Sequence, residues 1–358
     1  MGSALREVPG CATPHPDGSR PGARHRRSSF SRQEYLDGIL RGDRLMLARA
    51  ITLIESAREA DRALAEELIE DCLPHSGRSL RVGITGVPGA GKSSLIEALG
   101  QHLTCDRIEK VAVLAVDPSS QLSGGSILGD KTRMTALAAS DLAFIRPSPS
   151  RGSFGGVAQH TREAMLLCEA AGYRNVLVET VGVGQSETAV HNMVDFFLLI
   201  ELTGAGDELQ GIKRGVMELA DAIVINKADG VNSAPAERAR READNALHFF
   251  PASSSGWTPR ALACSALTGK GIHELWQCVL EHNSIIRHNG WRDRVRREQA
   301  RRWMHEAIEQ ALRQRFESQP GIRSRMTALE QDVLEGRLTS FSAARILLDL
   351  ASATAARQ

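Results

Sequence analysis

A glycine-rich segment in the first third of the chain has the composition of a phosphate-binding loop. It comprises Gly86, Val87, Pro88, Gly89, Ala90, Gly91, Lys92 and Ser93, followed by Ser94. Glycines let backbone amides converge on phosphate oxygens, and a helix that begins at the loop adds the partial positive charge of its N-terminus. The Lys92 ammonium can reach the outer phosphates, and the Ser93 hydroxyl is an oxygen ligand that suits Mg²⁺. The segment therefore predicts a site for a nucleoside triphosphate.

The residues on either side of this loop have the patterns that such a site needs. Residues 80–85 form a short, mainly apolar run that is typical of a strand, and residues 94–99 have apolar side chains at helical spacing. A strand, a loop and a helix in this order are the context in which the motif binds phosphate. We therefore predict that the loop lies at the carboxyl end of a strand.

A second signature, Asn226-Lys227-Ala228-Asp229, follows another apolar run downstream. Guanine presents its N1–H and its exocyclic amino group side by side, so the Asp229 carboxylate can accept from both, whereas adenine offers no such pair of donors. Asn226 can bond to the other edge of the base, and the aliphatic stem of Lys227 can cover the ring. This pattern is common by chance when alone, but behind a phosphate loop it predicts a guanine nucleotide site.

A short turn, Ser265-Ala266-Leu267, completes the candidate base site. Such a turn can offer a backbone amide to the carbonyl oxygen of guanine, and an ordinary strand end is the alternative.

Two acidic residues between these signatures are candidate metal ligands. Asp117 ends the apolar run 111–116, and Asp130 lies in the glycine-rich stretch 124–134. Mg²⁺ prefers oxygen ligands in octahedral order, so Ser93 with Asp117 or Asp130 predicts a metal site. For Asp117, the alternative is a turn carboxylate before proline.

Glu179 opens a segment that resembles the second switch of GTPases. It follows the apolar run 176–178. Its carboxylate can hold a metal-bound water or orient the attacking one, since phosphoryl transfer needs positioning and charge neutralisation more than covalent chemistry. The Gly182 amide can approach the terminal phosphate. Gln185 is a second candidate for orienting the water, and the sequence leaves this choice open.

The composition argues against several other classes of protein. A net charge of +1 with 24% charged residues creates no field that requires nucleic acid or a membrane surface, and no apolar run is long enough to span a bilayer. The six cysteines show no CxxC spacing, which argues against a zinc site and a disulfide framework. We expect a disordered leader at 1–29 and a cytoplasmic protein. The alternative is an arginine-rich transit peptide and a mitochondrial matrix protein.

Apolar strand-like runs alternate with helical segments through the middle of the chain, which predicts a doubly wound α/β domain with a mostly parallel sheet. We place this domain at 79–288, a helical segment at 30–78 and a helical extension at 289–358. In the first helical segment, Leu36, Ile39 and Leu40 are expected to form the buried stripe. The predicted strands include 80–85, 111–116, 142–145, 176–178, 196–200 and 223–225. The arginine-rich stretch 292–302 is expected to be a solvated helix face.

Taken together, the motifs resemble those of the MeaB/ArgK/MMAA family of P-loop GTPases, from about Ser31 to the C-terminus. The resemblance rests on residues 86–93, 117–120, 124–134, 146–152, 179–187, 226–229 and 265–267. It implies a SIMIBI-class fold, hydrolysis of GTP to GDP and phosphate, and a homodimer joined through its C-terminal helices. It also implies a metallochaperone that loads, protects or reactivates an adenosylcobalamin-dependent acyl-CoA mutase, such as methylmalonyl-CoA mutase. The cobalamin would belong chiefly to that partner.

The resemblance also implies roles for single residues. Lys92 and Ser93 would contact phosphate and magnesium, and Asp117, Asp130 and Glu179 would surround the metal, with Glu179 as the main catalytic candidate. Lys213 lies in the stretch 206–214, which resembles an additional switch of the family where the lysine approaches the nucleotide. A plain amphipathic turn is the alternative for that stretch.

Two other classes of function stay open at this point. The ArgK branch has been described as a nucleotide-dependent kinase or ATPase linked to lysine, arginine and ornithine transport, although the guanine signature at 226–229 argues against ATP. The other class is a regulatory module that holds GTP without useful hydrolysis. The client could be a methylmalonyl-, ethylmalonyl-, isobutyryl- or hydroxyisobutyryl-CoA mutase.

Overall fold

The structure is a computed structural model that describes residues 30–56, 58–116, 134–147, 154–180, 186–203, 210–251 and 253–355. Along 154–157, 186, 210–214 and 353–355 only the backbone is described. The predicted leader at 1–29 lies outside the described residues. From Arg32 onward the chain forms one compact unit.

A parallel sheet of seven strands forms the centre of this unit, with the strand order β3-β2-β4-β1-β5-β6-β7. The strands are β1 Leu80–Gly86, β2 Val111–Val116, β3 Ala143–Arg146, β4 Asn175–Thr180, β5 Phe196–Glu201, β6 Ala222–Ile225 and β7 Arg260–Ala263. Apart from the outermost strands β3 and β7, nearly every strand residue is buried, as expected when helices cover both faces. The predicted doubly wound α/β fold is therefore confirmed.

Helices cover both faces of the sheet. The helices are α1 Arg32–Leu40, α2 Arg44–Ile54, α3 Glu59–Cys72, α4 Lys92–Gln101, α5 Thr135–Ala139, α6 Phe154–Ala170, α7 Ser186–His191, α8 Gln210–Leu219, α9 Ser233–Leu247, α10 Ile272–His288, α11 Trp291–Ser318, α12 Ile322–Leu334 and α13 Ser340–Ala355. Helices α4, α5 and α10 share an apolar cluster with one face of the sheet. Helices α6 to α9 pack on the other face, where α1 to α3 cover α6.

The first helices illustrate how the sequence sets these elements and where our prediction was wrong. Asp43 starts α2, because its carboxylate accepts hydrogen bonds from the backbone amides of Leu45 and Met46 at 2.8 and 3.1 Å. In α1, however, Leu40 is exposed, and the buried face instead contains Tyr35 and Gly38 beside Ile39. Gly38 lies against Met46 of α2, so the buried face of α1 is rotated from the predicted stripe.

Helix α11 is fixed to the sheet by a buried ion pair at the amino ends of the strands. The Arg296 guanidinium donates to both oxygens of Asp195, at 2.7 and 2.6 Å, and to the carbonyls of Gly77 and Ser79. Asp195 also accepts from the backbone amide of Arg81, at 2.9 Å. Burial raises the pKa of Asp195, but the hydrogen bonds and positive charge of Arg296 outweigh burial and hold this pKa below its ordinary value.

A second buried pair joins this group from the side of α6. The Arg81 guanidinium donates to both oxygens of Glu169, at 2.7 and 3.0 Å, and the Ser79 hydroxyl donates to the same carboxylate. The prediction that 292–302 is a solvated helix face was therefore wrong for Arg296. It was also wrong for Gln299, whose buried side chain donates to the carbonyl of Val194 at 3.0 Å.

Candidate functional site

The glycine-rich segment forms the predicted loop between β1 and α4. Strand β1 ends at Gly86, and α4 begins at Lys92, directly after Gly91. Gly91 has a φ of 85°, and a Cβ atom there would lie 2.7 Å from the side-chain nitrogen of Asn226. The loop can close against Asn226 only because this residue is glycine.

Lys92 and Ser93 point toward different parts of the site. The Lys92 ammonium donates to the carbonyl of Gly86 at 2.8 Å and reaches that of Val87 at 3.4 Å, so it lies over the loop. The Ser93 hydroxyl donates to Oε1 of Glu179 at 3.0 Å. The structure thus brings together two groups that are 86 residues apart in sequence.

Glu179 reaches Ser93 because of the sheet register. Strand β4 lies beside β1 with Glu179 opposite Ile84, so Glu179 is close to the point where β1 turns into the loop. Its side chain is 4% exposed. A buried carboxylate next to a hydroxyl at a helix N-terminus is an oxygen set that fits a magnesium ion bound to phosphates.

Asn226 connects the predicted base-reading loop to the phosphate loop. Its side-chain amide donates to the carbonyl of Ala90 at 2.9 Å, and its oxygen accepts from the backbone amides of Lys227 and Ala266 at 2.8 and 3.3 Å. The residue is 1% exposed. One side chain therefore connects the phosphate loop at 86–93, the predicted base-reading loop at 226–229 and the turn at 265–267.

Lys227 and Asp229 are held by further contacts in the same loops. Lys227 has a φ of 60°, which is uncommon for a residue with a side chain, and its ammonium donates to the carbonyl of Gly89 at 3.0 Å. Asp229 accepts a hydrogen bond from the Ser265 hydroxyl at 2.7 Å. The serine orients a carboxylate that the sequence assigned to guanine, and the neighbouring Leu267 is 85% exposed.

Cys264 is a residue of this site that the sequence motifs did not indicate. Its thiol is 3.7 Å from the side-chain oxygen of Asn226 and is 1% exposed. Burial raises the pKa of the Cys264 thiol to about 12, so the group stays protonated near neutral pH and is a poor nucleophile. The buried thiol packs beside Asn226 and donates to its side-chain oxygen.

Several predicted site residues lie outside the described part of the chain. These are Asp117, Asp130, Gly182 and Gln185. Lys213 falls within α8, where only the backbone is described. Their predicted roles stay predictions.

Comparisons with known proteins identify relatives of this chain. The family described as "Methylmalonyl Co-A mutase-associated GTPase MeaB" matches residues 47–321. "GTPase ArgK" of Escherichia coli is 49% identical over 279 residues, which cover 78% of this chain and 84% of that protein. "Methylmalonic aciduria type A homolog, mitochondrial" of Mus musculus is 44% identical over 334 residues, covering 89% of this chain and 80% of that protein.

A solved structure has the same fold. It is described as "Crystal structure of LAO/AO transport system kinase" and matches with a TM-score of 0.69 and 37% sequence identity. The match covers 90% of this chain and 97% of the other.

Proposed function

Because this chain belongs to the MeaB family of GTPases, we propose that it uses GTP hydrolysis to serve as a chaperone of an adenosylcobalamin-dependent acyl-CoA mutase. The observation that carries the enzymatic part is the hydrogen bond from Ser93 to Glu179 beside the phosphate loop. The partner part is supported by the family description and by the name of the mouse relative.

The phosphate loop would bind the triphosphate through its backbone amides and the Lys92 ammonium. This requires the ammonium to exchange its contact with the Gly86 carbonyl for one with phosphate oxygens. Ser93 and Glu179, with Asp117 and Asp130 as further candidates, would hold Mg²⁺, which neutralises phosphate charge when bound. A charged donor against phosphate makes a strong hydrogen bond, so Lys92 contributes to both binding and turnover.

Glu179 would orient the water that attacks the terminal phosphate. Its carboxylate is held from one side by the Ser93 hydroxyl, and this contact restricts its rotation. An oriented carboxylate can accept a hydrogen bond from the attacking water and place it in line with the terminal phosphate. Gln185 is the alternative residue for this task.

Guanine selectivity would come from Asp229, Asn226 and the Ser265 turn. The Ser265 hydroxyl fixes the Asp229 carboxylate, which can then accept from both guanine donors. The Ala266 amide is 3.3 Å from the side-chain oxygen of Asn226, and this proximity supports a role for the turn at the carbonyl edge of the base. These contacts favour GTP over ATP.

We propose a homodimer formed through the C-terminal helices. The supporting observation is a row of exposed apolar side chains on α11, at Met304, Ile308 and Leu312, which are 53%, 48% and 61% exposed. Residues four positions apart share one helix face, so the row forms a stripe. Exposed apolar stripes of this kind are typical of subunit contacts.

The proposed compartment is the cytoplasm, with the mitochondrial matrix as the alternative that the name of the mouse relative suggests. Within the part of the chain that the structure describes, no helix has the length and apolar character to cross a bilayer.

A second candidate function is a nucleotide-dependent kinase linked to transport, which the name of the similar solved protein favours. A kinase or ATPase of that kind is expected to use ATP. The bond from Ser265 to Asp229 favours a guanine nucleotide instead. Nucleotide competition separates the two functions. If the chain is the kinase, ATP should displace bound GDP at least as effectively as GTP does.

The chaperone proposal is tested with the purified protein and purified mutases of the methylmalonyl, ethylmalonyl, isobutyryl and hydroxyisobutyryl classes. We expect one mutase to co-elute with the chain in size-exclusion chromatography and to raise its GTP hydrolysis rate about tenfold or more. The Lys92→Ala variant should not support cofactor loading of that mutase. If every mutase leaves hydrolysis unchanged and elutes separately, the chaperone role is wrong.

A further inference from the structure

Two buried threonines are joined at the carboxyl ends of β1 and β4. The Thr180 hydroxyl donates to the Thr85 hydroxyl oxygen at 2.9 Å and lies 3.5 Å from the carbonyl of Ile84. The two threonines are 0% and 1% exposed. A buried hydroxyl pair is almost always hydrogen-bonded, and here the two hydroxyls bond to each other across adjacent strands.

The pair lies on the opposite face of the sheet from the candidate chemistry. Ile84 is opposite Glu179 in the register, so Thr85 and Thr180 are the next residues of their strands. Successive side chains of a strand point to opposite faces. Glu179 therefore points toward Ser93 and α4. Thr180 points to the opposite face, where its hydroxyl bonds to Thr85 of β1.

Each threonine is next to a functional segment. Thr85 directly precedes Gly86, the first residue of the phosphate loop, and Thr180 directly follows Glu179. On its other side, β1 is packed tightly against β5, since a Cβ atom at Gly86 would lie 2.4 Å from the carbonyl oxygen of Ile200. The end of β1 is thus confined by β5 on one side and by the Thr180 hydroxyl on the other.

We propose that Thr180, through Thr85, is a positioning residue for GTP hydrolysis that sets Glu179 relative to the phosphate loop. The proposal rests on the catalytic role proposed for Glu179. Replacing both partners of a buried hydrogen bond by apolar groups of the same shape is nearly neutral for stability, so packing alone does not require two hydroxyls here. The hydrogen bond instead fixes the relative position of the two strand ends. Errors of about 1 Å in the position of catalytic groups can slow an enzyme about 100-fold.

The test is single-turnover hydrolysis of pre-bound GTP by Thr180→Val, which removes the hydroxyl and keeps the shape. We expect hydrolysis to be about tenfold slower, with the dissociation constant for GDP within about threefold of wild type. Thr180→Ser, which keeps the hydroxyl, should recover most of the rate. Thr85→Val should match Thr180→Val, and the double variant should be no slower than either one, because both changes remove the same bond.

Thr104→Val is the matched control. Thr104 is also buried and donates to a carbonyl, that of Gly100 at 2.9 Å, but it lies beyond the far end of α4 from the phosphate loop. It should lower the melting temperature without slowing hydrolysis. If Thr104→Val slows hydrolysis as much as Thr180→Val does, or if Thr180→Val hydrolyses GTP at the wild-type rate, the positioning role is overturned.

The Glu179→Gln variant separates this failure from that of the proposed function. If Glu179→Gln is slow and Thr180→Val is not, only the positioning role is wrong. If Glu179→Gln hydrolyses GTP at the wild-type rate, the proposed role of Glu179 is wrong and the positioning role falls with it.

Discussion

The central sheet has a carboxyl edge, where the carboxyl ends of its parallel strands lie, and an amino edge, where their amino ends lie. These two edges are stabilised in different ways. At the carboxyl edge, neutral and charged side chains such as Asn226 and Lys227 bond mainly to loop carbonyls and amides. At the amino edge, Arg296 and Arg81 form buried ion pairs with Asp195 and Glu169. The nucleotide edge is therefore built from contacts that a ligand can exchange, whereas the amino edge is built from charges that cannot separate without a large loss of stability.

Breaking the amino-edge ion pair should give the largest effect. Arg296→Met keeps much of the side-chain volume but leaves Asp195 buried without its guanidinium. We expect the free energy of unfolding to fall by about 3–5 kcal/mol, measured by urea denaturation. Hydrolysis by the folded protein should stay near the wild-type rate, because Arg296 lies at the other edge of the sheet.

Arg301→Met is the control for this prediction. Its guanidinium pairs with Glu298 at 2.9 Å, and both side chains are exposed. Exposed pairs contribute about 0–1 kcal/mol, so its unfolding curve should nearly coincide with that of wild type. Equal losses in the two variants would mean that burial of the Arg296 pair does not matter.

Lys92→Ala should give the largest effect at the carboxyl edge. Losing a charged donor to phosphate is expected to weaken GTP binding about 100-fold, while the melting temperature of the nucleotide-free protein changes little. Lys110→Ala is the matched control at the opposite edge, where the ammonium lies 5.7 Å from the ring centre of Tyr173. Calorimetric titration with GTP measures both variants, and equal affinities would contradict the placement of phosphate at Lys92.

Asp229→Asn should change specificity more than stability. The amide can no longer accept from both guanine donors, so affinity for GTP should fall about tenfold to 100-fold. The new amide can instead donate to the C2 carbonyl of xanthine, and xanthosine triphosphate should bind better than to wild type. Competition against fluorescent GDP reports both changes, and an unchanged order of nucleotides would exclude Asp229 from the base site.

The smallest expected effect is the loss of stability at acid pH through Asp195 at the amino edge. The pKa of Asp195 is lower in the folded chain than its ordinary value, so its ion pair stabilises the fold fully above about pH 4 and loses this contribution as the pH falls through the folded pKa. The difference in unfolding free energy between wild type and Asp195→Asn should therefore shrink below about pH 4, by at most about 1.4 kcal/mol per pH unit. Urea curves from pH 7 to 3 measure it, and a constant difference would contradict the assignment.

The two edges also differ in how well the sequence predicts them. The phosphate loop and the 226–229 signature were predictable because a ligand of fixed shape requires particular residues close together in the chain. The bond from Ser93 to Glu179 joins two segments that had each been assigned to phosphate chemistry, so the sheet had only to bring them together.

The amino edge offers no such local pattern. Arg296 contacts Asp195 and Gly77, which lie 101 and 219 residues away, and the alternating charges around it in α11 resemble a solvated face. Strand β7 was not named among the predicted strands, because it is short, is the outermost strand of the sheet and is only partly buried. The burial of Arg296 and the pairing of β7 both depend on tertiary contacts. Sequence periodicity predicts such contacts poorly for short or highly charged segments.

The central claim is that the carboxylate of Glu179 at the carboxyl edge drives GTP hydrolysis. Single-turnover hydrolysis by Glu179→Gln loaded with GTP tests it most directly, because glutamine keeps the shape and the contact with Ser93 but removes the charge. We predict GTP affinity within about threefold of wild type and hydrolysis slower by about 100-fold or more. Hydrolysis at the wild-type rate in that variant would contradict the account.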